Sequence, residues 1–322
     1  MSRFLAVTTV KNEGPYVLEW VAHHRLCGFD RIVVFQNDSD DTTVQSLRVL
    51  ARLGVIEFFD NPNDEGKFQA QAYRRASRLE AFASSDWCMA LDFDEYLGVR
   101  VGAGGLEDLV TSCPTADAIM VNWRNFGSGG QLDLDQGLLT ERFTMTEDPS
   151  RMLGEQKHTA FKTLFRTSSF ARPGIHFPRV PTVERPVLVN GSGIMDGAFP
   201  RQAWRSADPG GYALAQINHY IIRDVMSFIL KSARGSANAP HRDLGAKYWS
   251  TYDINEAEDR LLADRSAAIW TEMKRLDDLS DGLLMRLRLR AFRQWRTKFR
   301  NLVAKPEFAE LRQQIGPTPL AA

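Results

Sequence analysis

The residues best equipped for chemistry are Asp92-Phe93-Asp94-Glu95-Tyr96, which follow the apolar run 88–91. In an extended chain, residues i and i+2 project to the same side. Asp92 and Asp94 are therefore expected to present two carboxylates together at the end of a buried strand. Close carboxylates repel unless a cation lies between them or one takes a proton. A hard divalent ion with oxygen ligands would satisfy both, and such ions commonly complete their shell with substrate phosphates. The plain alternative is a solvated turn. Of the six histidines, His23 and His24 read as structural, His158 and His241 carry no signal of their own, and His176 lies in Ile175-His176-Phe177-Pro178. His219 follows the apolar stretch 212–217, which reads as a strand. A lone histidine there is ordinarily a satisfied core residue, yet imidazole also suits manganese-like ions.

Two further polar clusters are Lys11-Asn12-Glu13 and Asn37-Asp38-Ser39-Asp40-Asp41. The second is either an Asx-turn leading into a helix or a carboxylate and amide set that holds a base or ribose by hydrogen bonds. The elements that must position these clusters alternate along the first 125 residues. Strands are expected at 4–10, 31–35, 55–59, 87–91 and 118–122. Helices are expected after Pro15, which suits a first helical position, from Thr42 as cap through Leu53, and over 68–83. Strands separated by helices imply a mostly parallel sheet with helices on both faces. Ligands of open α/β sheets sit beyond the carboxyl ends of the strands, and all three polar clusters fall there. Residues 171–211 read as loops and short strands, and helices are expected from Asp224 onward, over 255–276 and over 283–303.

The chain has 322 residues and balances 40 basic against 40 acidic side chains, so whole-protein nucleic-acid binding is not expected. Residues 281–322 hold nine basic and three acidic residues, which places any basic surface at the C-terminal end. Three cysteines without C-x-x-C spacing argue against zinc and against a disulfide framework, and point to a reducing compartment. No apolar window approaches membrane-spanning length, and the short run 4–10 lacks the features of a signal peptide. The expected location is cytoplasmic. In 283–303, apolar residues at 284, 287, 291, 292 and 295 recur at helical spacing opposite an Arg-rich face. That helix either packs on the catalytic body or lies at an anionic membrane surface on the inner face.

The ordered blocks resemble the family 2 type of glycosyltransferases, most closely the subgroup that includes family 92. They are Thr8-Thr9-Val10-Lys11-Asn12-Glu13, Glu19-Trp20 with His24 and Gly28, residues 37–42, Gln71, Asp92-Phe93-Asp94-Glu95-Tyr96, residues 122–127, Glu141-Arg142-Phe143, Phe161-Lys162 with Arg166, His176-Phe177, and Asn218-His219-Tyr220 with Lys231 and Arg234-Gly235. The resemblance implies a GT-A fold: a Rossmann-like α/β unit with a mixed, mostly parallel sheet and a helical C-terminal extension. The implied organisation is a nucleotide-sugar-binding half (1–125), an acceptor-binding half (126–235) and the extension (236–322). It further implies that Asp92 and Asp94, with His219, hold Mn²⁺ or Mg²⁺ on the diphosphate of a UDP-sugar, and that Thr9, Lys11, Glu13, Asn37, Asp38, Gln71 and Asp92 hold the nucleotide. Lys162, Arg166 or Lys231 could assist the leaving group. An inverting enzyme needs a carboxylate base near the acceptor hydroxyl. Glu141, in a shared block, is the first candidate and Asp196 the second. The acceptor would be a glycan or a lipid-linked molecule. The alternatives are a nucleotidyltransferase, disfavoured by a first loop with one glycine and an acid, and a non-catalytic glycan-binding or scaffold protein on the same fold.

Overall fold

β1 (Phe4–Val10) is buried along its whole length, as a strand covered on both faces must be. It lies inside a nine-stranded sheet with β2 (Arg31–Gln36), β3 (Glu57–Asp60), β4 (Trp87–Ala90), β5 (Glu95–Val99), β6 (Ala118–Asn125), β7 (Phe161–Arg166), β8 (Leu188–Asn190) and β9 (Ala215–His219). The spatial order is β3-β2-β1-β4-β7-β6-β9-β5, with β8 beside β6. β1 runs parallel to β2 and β4, β2 to β3, and β6 to β8 and β9. β7 is antiparallel to β4 and β6, and β5 is antiparallel to β9. The sheet is thus mixed and mostly parallel. The computed structural model describes residues 1–62, 67–148, 160–195, 201–202, 205–206, 211–235 and 244–316.

The helices are α1 (Val17–Leu26), α2 (Thr43–Arg52), α3 (Phe68–Ala76), α4 (Glu80–Ala83), α5 (Leu106–Ser112), α6 (Leu139–Arg142), α7 (Val225–Arg234), α8 (Ala246–Tyr252), α9 (Ser266–Asp278), α10 (Leu283–Val303) and α11 (Pro306–Ile315). One face of the sheet packs in a core shared with α1, α7, α9 and α10, while the other meets α3 through Ala72, Tyr73 and Ala76. The helix expected over 68–83 is broken into α3 and α4. The one expected from Asn255 starts at Ser266, because Ala257 and Glu258 pair instead with Thr146 and Met145. Thr42 precedes α2 without capping it. Its Oγ1 donates to the Leu287 carbonyl at 3.1 Å.

That contact belongs to the seat of α10. Leu284, Leu287, Ala291, Phe292, Trp295 and Phe299 are buried, which is the packed arrangement of this helix. Its apolar face is covered by protein, and Arg286, Arg290, Arg293 and Arg300 remain on the outside. Arg288 is buried and donates to the carbonyls of Pro15 (3.1 Å), Gln136 (2.8 Å) and Gly137 (3.1 Å). Trp295 Nε1 donates to Asp41 Oδ2 at 2.9 Å. The approach is close enough that a Cβ on Gly14 would come within 2.9 Å of the Ala291 methyl and 2.8 Å of Thr42 Oγ1. Among the described residues no helix is long and apolar enough to cross a membrane.

Candidate active site

β1, β2, β4, β6 and β9 point the same way, so their carboxyl ends share one rim. β7 runs against them and starts there, which puts Lys162 at the same rim, opposite Val121. The register of β9 sets His219 beside Asn125 of β6 and Glu95 of β5. Sheet pairing alone therefore carries His219 to the acidic segment, more than 120 residues away in sequence.

The segment itself is a turn. Glu95 N donates to the Asp92 carbonyl at 3.1 Å, and Trp20 Nε1 donates to the carbonyls of Asp92 (3.3 Å) and Glu95 (3.1 Å). The same-side projection expected of an extended Asp92–Asp94 segment does not occur, and the two carboxylates take different partners. Asp92 Oδ1 accepts from Gln69 Nε2 at 2.6 Å, and Oδ2 lies 3.2 Å from Lys162 Nζ. Lys162 is also 3.4 Å from Glu95 Oε2, both side chains being fully buried. Burial alone would lower the Lys162 pKa, but the Asp92 and Glu95 carboxylates outweigh it and raise it. Burial pushes Glu95 up against the pull of Lys162.

Asp94 Oδ2 lies 2.9 Å from Lys231 Nζ, and Oδ1 lies 3.8 Å from His219 Nε2. Burial would raise the Asp94 pKa, but Lys231 above all, then His219, outweigh it and hold the carboxyl well below the usual range. Burial pushes His219 down to about 4, so the imidazole is neutral at pH 7. Its Nδ1 sits 3.1 Å from Asn125 Oδ1, an acceptor, so Nδ1 carries the proton and Nε2 turns its lone pair toward Asp94. The indole of Trp123 lies against His219, ring centroids 4.1 Å apart, and its buried N–H has no acceptor among the described residues.

A carboxylate oxygen and an imidazole lone pair 3.8 Å apart fit a divalent cation between them. The fit stops at two side chains. Asp92, expected as the third ligand, is engaged by Lys162 and Gln69, and among the described residues no three acidic, histidine or cysteine side chains converge on one point.

The nucleotide candidates fall into two groups. Asn37 Oδ1 accepts from Asn61 Nδ2 at 2.9 Å, and Asn61 Oδ1 in turn accepts from Gln71 (3.3 Å) and Arg75 (3.1 Å). Thr9 is buried at the end of β1, Lys11 is half-buried at the rim, and Asp38 is exposed with a left-handed φ of 47°. Glu13 stands apart from these. Its carboxylate is clamped by Arg223 (2.7 Å) and Arg234 (3.0 Å). Arg234 also donates to the Lys11 carbonyl, so the first loop is tied to the end of α7. Arg223 is itself left-handed, at φ 63°, with its guanidinium 4.3 Å over the Tyr16 ring. Such a backbone in a non-glycine residue is kept where surrounding contacts impose it.

Arg166 is not at the rim. It pairs with Trp87 at the start of β4 and donates to the Ala116 carbonyl at 2.9 Å. Glu141 is exposed, and its Oε2 accepts from Trp270 Nε1 of α9 at 3.3 Å. Asp196, like His158 and His241, lies outside the described residues. A carboxylate not foreseen from sequence is near the site. Glu147 is buried, its Oε1 is 3.4 Å from Asn125 Nδ2, and burial pushes its pKa up to about 7. Gln69 and Asn61 were equally unmarked, and Trp123 stood only within the 122–127 block, without a role of its own. Only their proximity to Asp92, Asn37 and His219 reveals them.

The profile of glycosyltransferase family 92 matches residues 8–184 of this chain. Among solved structures it is similar to S. aureus TarS 1–349 in complex with UDP-GlcNAc, at 16% identity over 52% of this chain and 46% of that one, with a TM-score of 0.33. It is also similar to HddC from Yersinia pseudotuberculosis, at 12% identity over 59% of this chain and 89% of that one, with a TM-score of 0.31. The match spans under half the length of the TarS 1–349 chain. A search among curated proteins found no match.

Proposed function

The chain belongs to glycosyltransferase family 92, and from that premise we propose that it moves a sugar from a UDP-linked donor to a hydroxyl of a glycan or lipid-linked acceptor, with inversion. The observation that carries this reading is the pairing of Asp94 with neutral His219 and Lys231 at the sheet rim. The nucleoside would lie over Thr9, Lys11, Asn37, Asp38 and Gln71, with Asp92 near the ribose. Glu13, clamped by two arginines, shapes the loop that carries Lys11. Asp94 and His219 would hold Mn²⁺ or Mg²⁺, which when bound supplies Lewis-acid stabilisation of the departing diphosphate. Lys231 adds a fixed positive charge where negative charge grows on the leaving oxygens.

Glu147 is the better-placed base. A carboxylate held near pH 7 accepts a proton far more readily than the exposed Glu141. Asn125 bridges it to His219, so one amide sets both groups. The base must be ionised, so kcat/KM should rise with pH and level off above an apparent pKa of about 7. Glu147→Gln should remove that limb and cost about 10²–10⁴ in rate.

The direct test is calorimetry with UDP, with and without manganese, followed by a screen of UDP-sugars for metal-dependent hydrolysis. Absence of UDP binding in manganese overturns the donor assignment. A Glu147→Gln enzyme with wild-type rate and pH profile overturns the base.

A further inference from the structure

A cavity of about 340 Å³ opens beside the first loop, against Asn12 and Glu13. Of the residues expected to hold the nucleotide, Glu13 lines it, whereas Thr9, Lys11, Asn37, Asp38, Gln71 and Asp92 do not. Its walls come mostly from α7 and from the end of α10, beyond the 8–184 segment that the family profile matches.

Its charge is lopsided in a chain that has no net charge. Arg223, Lys231, Arg234, Lys298 and Lys305 line it, against the carboxylates of Glu13 and Asp40. Glu13 is shared by Arg223 and Arg234, and Asp40 pairs with Lys298. Among the described residues Lys305 has no ion-pair partner, and the buried Nη2 of Arg223 makes no hydrogen bond. Ile222, Leu230, Trp295 and Leu302 form an apolar stretch of the wall, and Asn12, Ser227 and Asn301 are its uncharged polar residues. Surplus positive charge beside an apolar wall selects an anion attached to a hydrocarbon body. A sugar hydroxyl set would leave the cations unpaired, and a bare ion would leave the apolar wall wet.

We propose that this cavity binds a phosphate ester carried on an alkyl chain, the head of a phosphate-linked lipid. The phosphate sits among Lys298, Lys305 and Arg234, and the first carbons of the chain lie along Leu230, Leu302 and Trp295. The site adjoins that of the donor nucleotide through Glu13 and Arg234, which tie down the first loop, and through Lys231, whose ammonium group also holds Asp94.

The test uses the full chain and n-octyl phosphate below its micelle concentration, with inorganic phosphate and octyl glucoside as the two halves of the ligand. Calorimetry should show octyl phosphate binding more tightly than inorganic phosphate, binding that weakens with salt, and no binding of octyl glucoside. The double variant Lys298→Glu/Lys305→Glu should weaken octyl phosphate by roughly tenfold or more while leaving the thermal melt and UDP binding unchanged. Leu302→Asp should do the same through the apolar wall. Equal binding of octyl glucoside, equal binding of inorganic phosphate, or unchanged affinity in both variants overturns the proposal. UDP binding is read in the same samples, so failure of the donor assignment is distinguishable from failure of this site.

Discussion

Asp92 and Asp94 are separated by one residue, yet they belong to different regions of the molecule. Asp92 faces the sheet, where Lys162 and Glu95 are fully buried and Gln69 closes the remaining side. Asp94 faces α7, where Lys231 is 22% exposed and His219 offers a free lone pair. On the sheet side Lys162 is shared by Asp92 and Glu95, and removing it strands the fully buried Glu95 without its counter-charge. On the helix side Lys231 is partly exposed and His219 Nε2 stands 3.8 Å off, so a ligand has room to reach Asp94. One carboxylate therefore serves the frame and the other is available for exchange, although a sequence pattern presents them as an equivalent pair.

The sharpest way to break this contrast is Lys162→Met. Removing one member of a buried ion pair costs about 3–5 kcal/mol, which urea unfolding should read directly. A loss under about 1 kcal/mol would show that the sheet side is not locked. Asp94→Asn is its opposite: the melting temperature should stay near wild type while turnover falls by about 10²–10³, as measured by UDP-sugar hydrolysis. His219→Ala should raise the manganese concentration needed for half-maximal activity by about tenfold or more, again without a large change in melting temperature. A cost in stability with unchanged metal response would return His219 to the core. The smallest effect is expected far from both carboxylates. Trp295→Phe removes the hydrogen bond to Asp41 and should cost about 1 kcal/mol with activity retained.

This contrast also explains what could be read from the sequence. β1, α1 and α10 were legible because each is written in a local period: a continuous apolar run, a proline-led helix, and apolar residues three and four apart. His219 and Asp94 were legible as residue types. That Asp92 leaves the pair was not, because it depends on a turn held by Trp20, on Lys162 entering from an antiparallel strand, and on Gln69 reaching in from α3. Glu147 carried no mark in the sequence, because its link to the site runs through Asn125, which sheet register alone brings beside His219. Chemistry that depends on long-range register leaves no local trace.

The seat of α10 has a consequence for how the protein comes to exist. Arg288, Thr42 and Trp295 join the first loops to a helix about 250 residues later in the chain. During synthesis the carbonyls of Pro15, Gln136 and Gly137 wait for a guanidinium group that lies 151 residues beyond Gly137. The front of the sheet can pair early, since β1, β2 and β4 are close in sequence, but the seat of α10 stays open until that helix has been made. Chains halted before residue 288 should therefore expose the apolar face of α1 and depend on chaperones, whereas chains released just beyond α10 should close spontaneously.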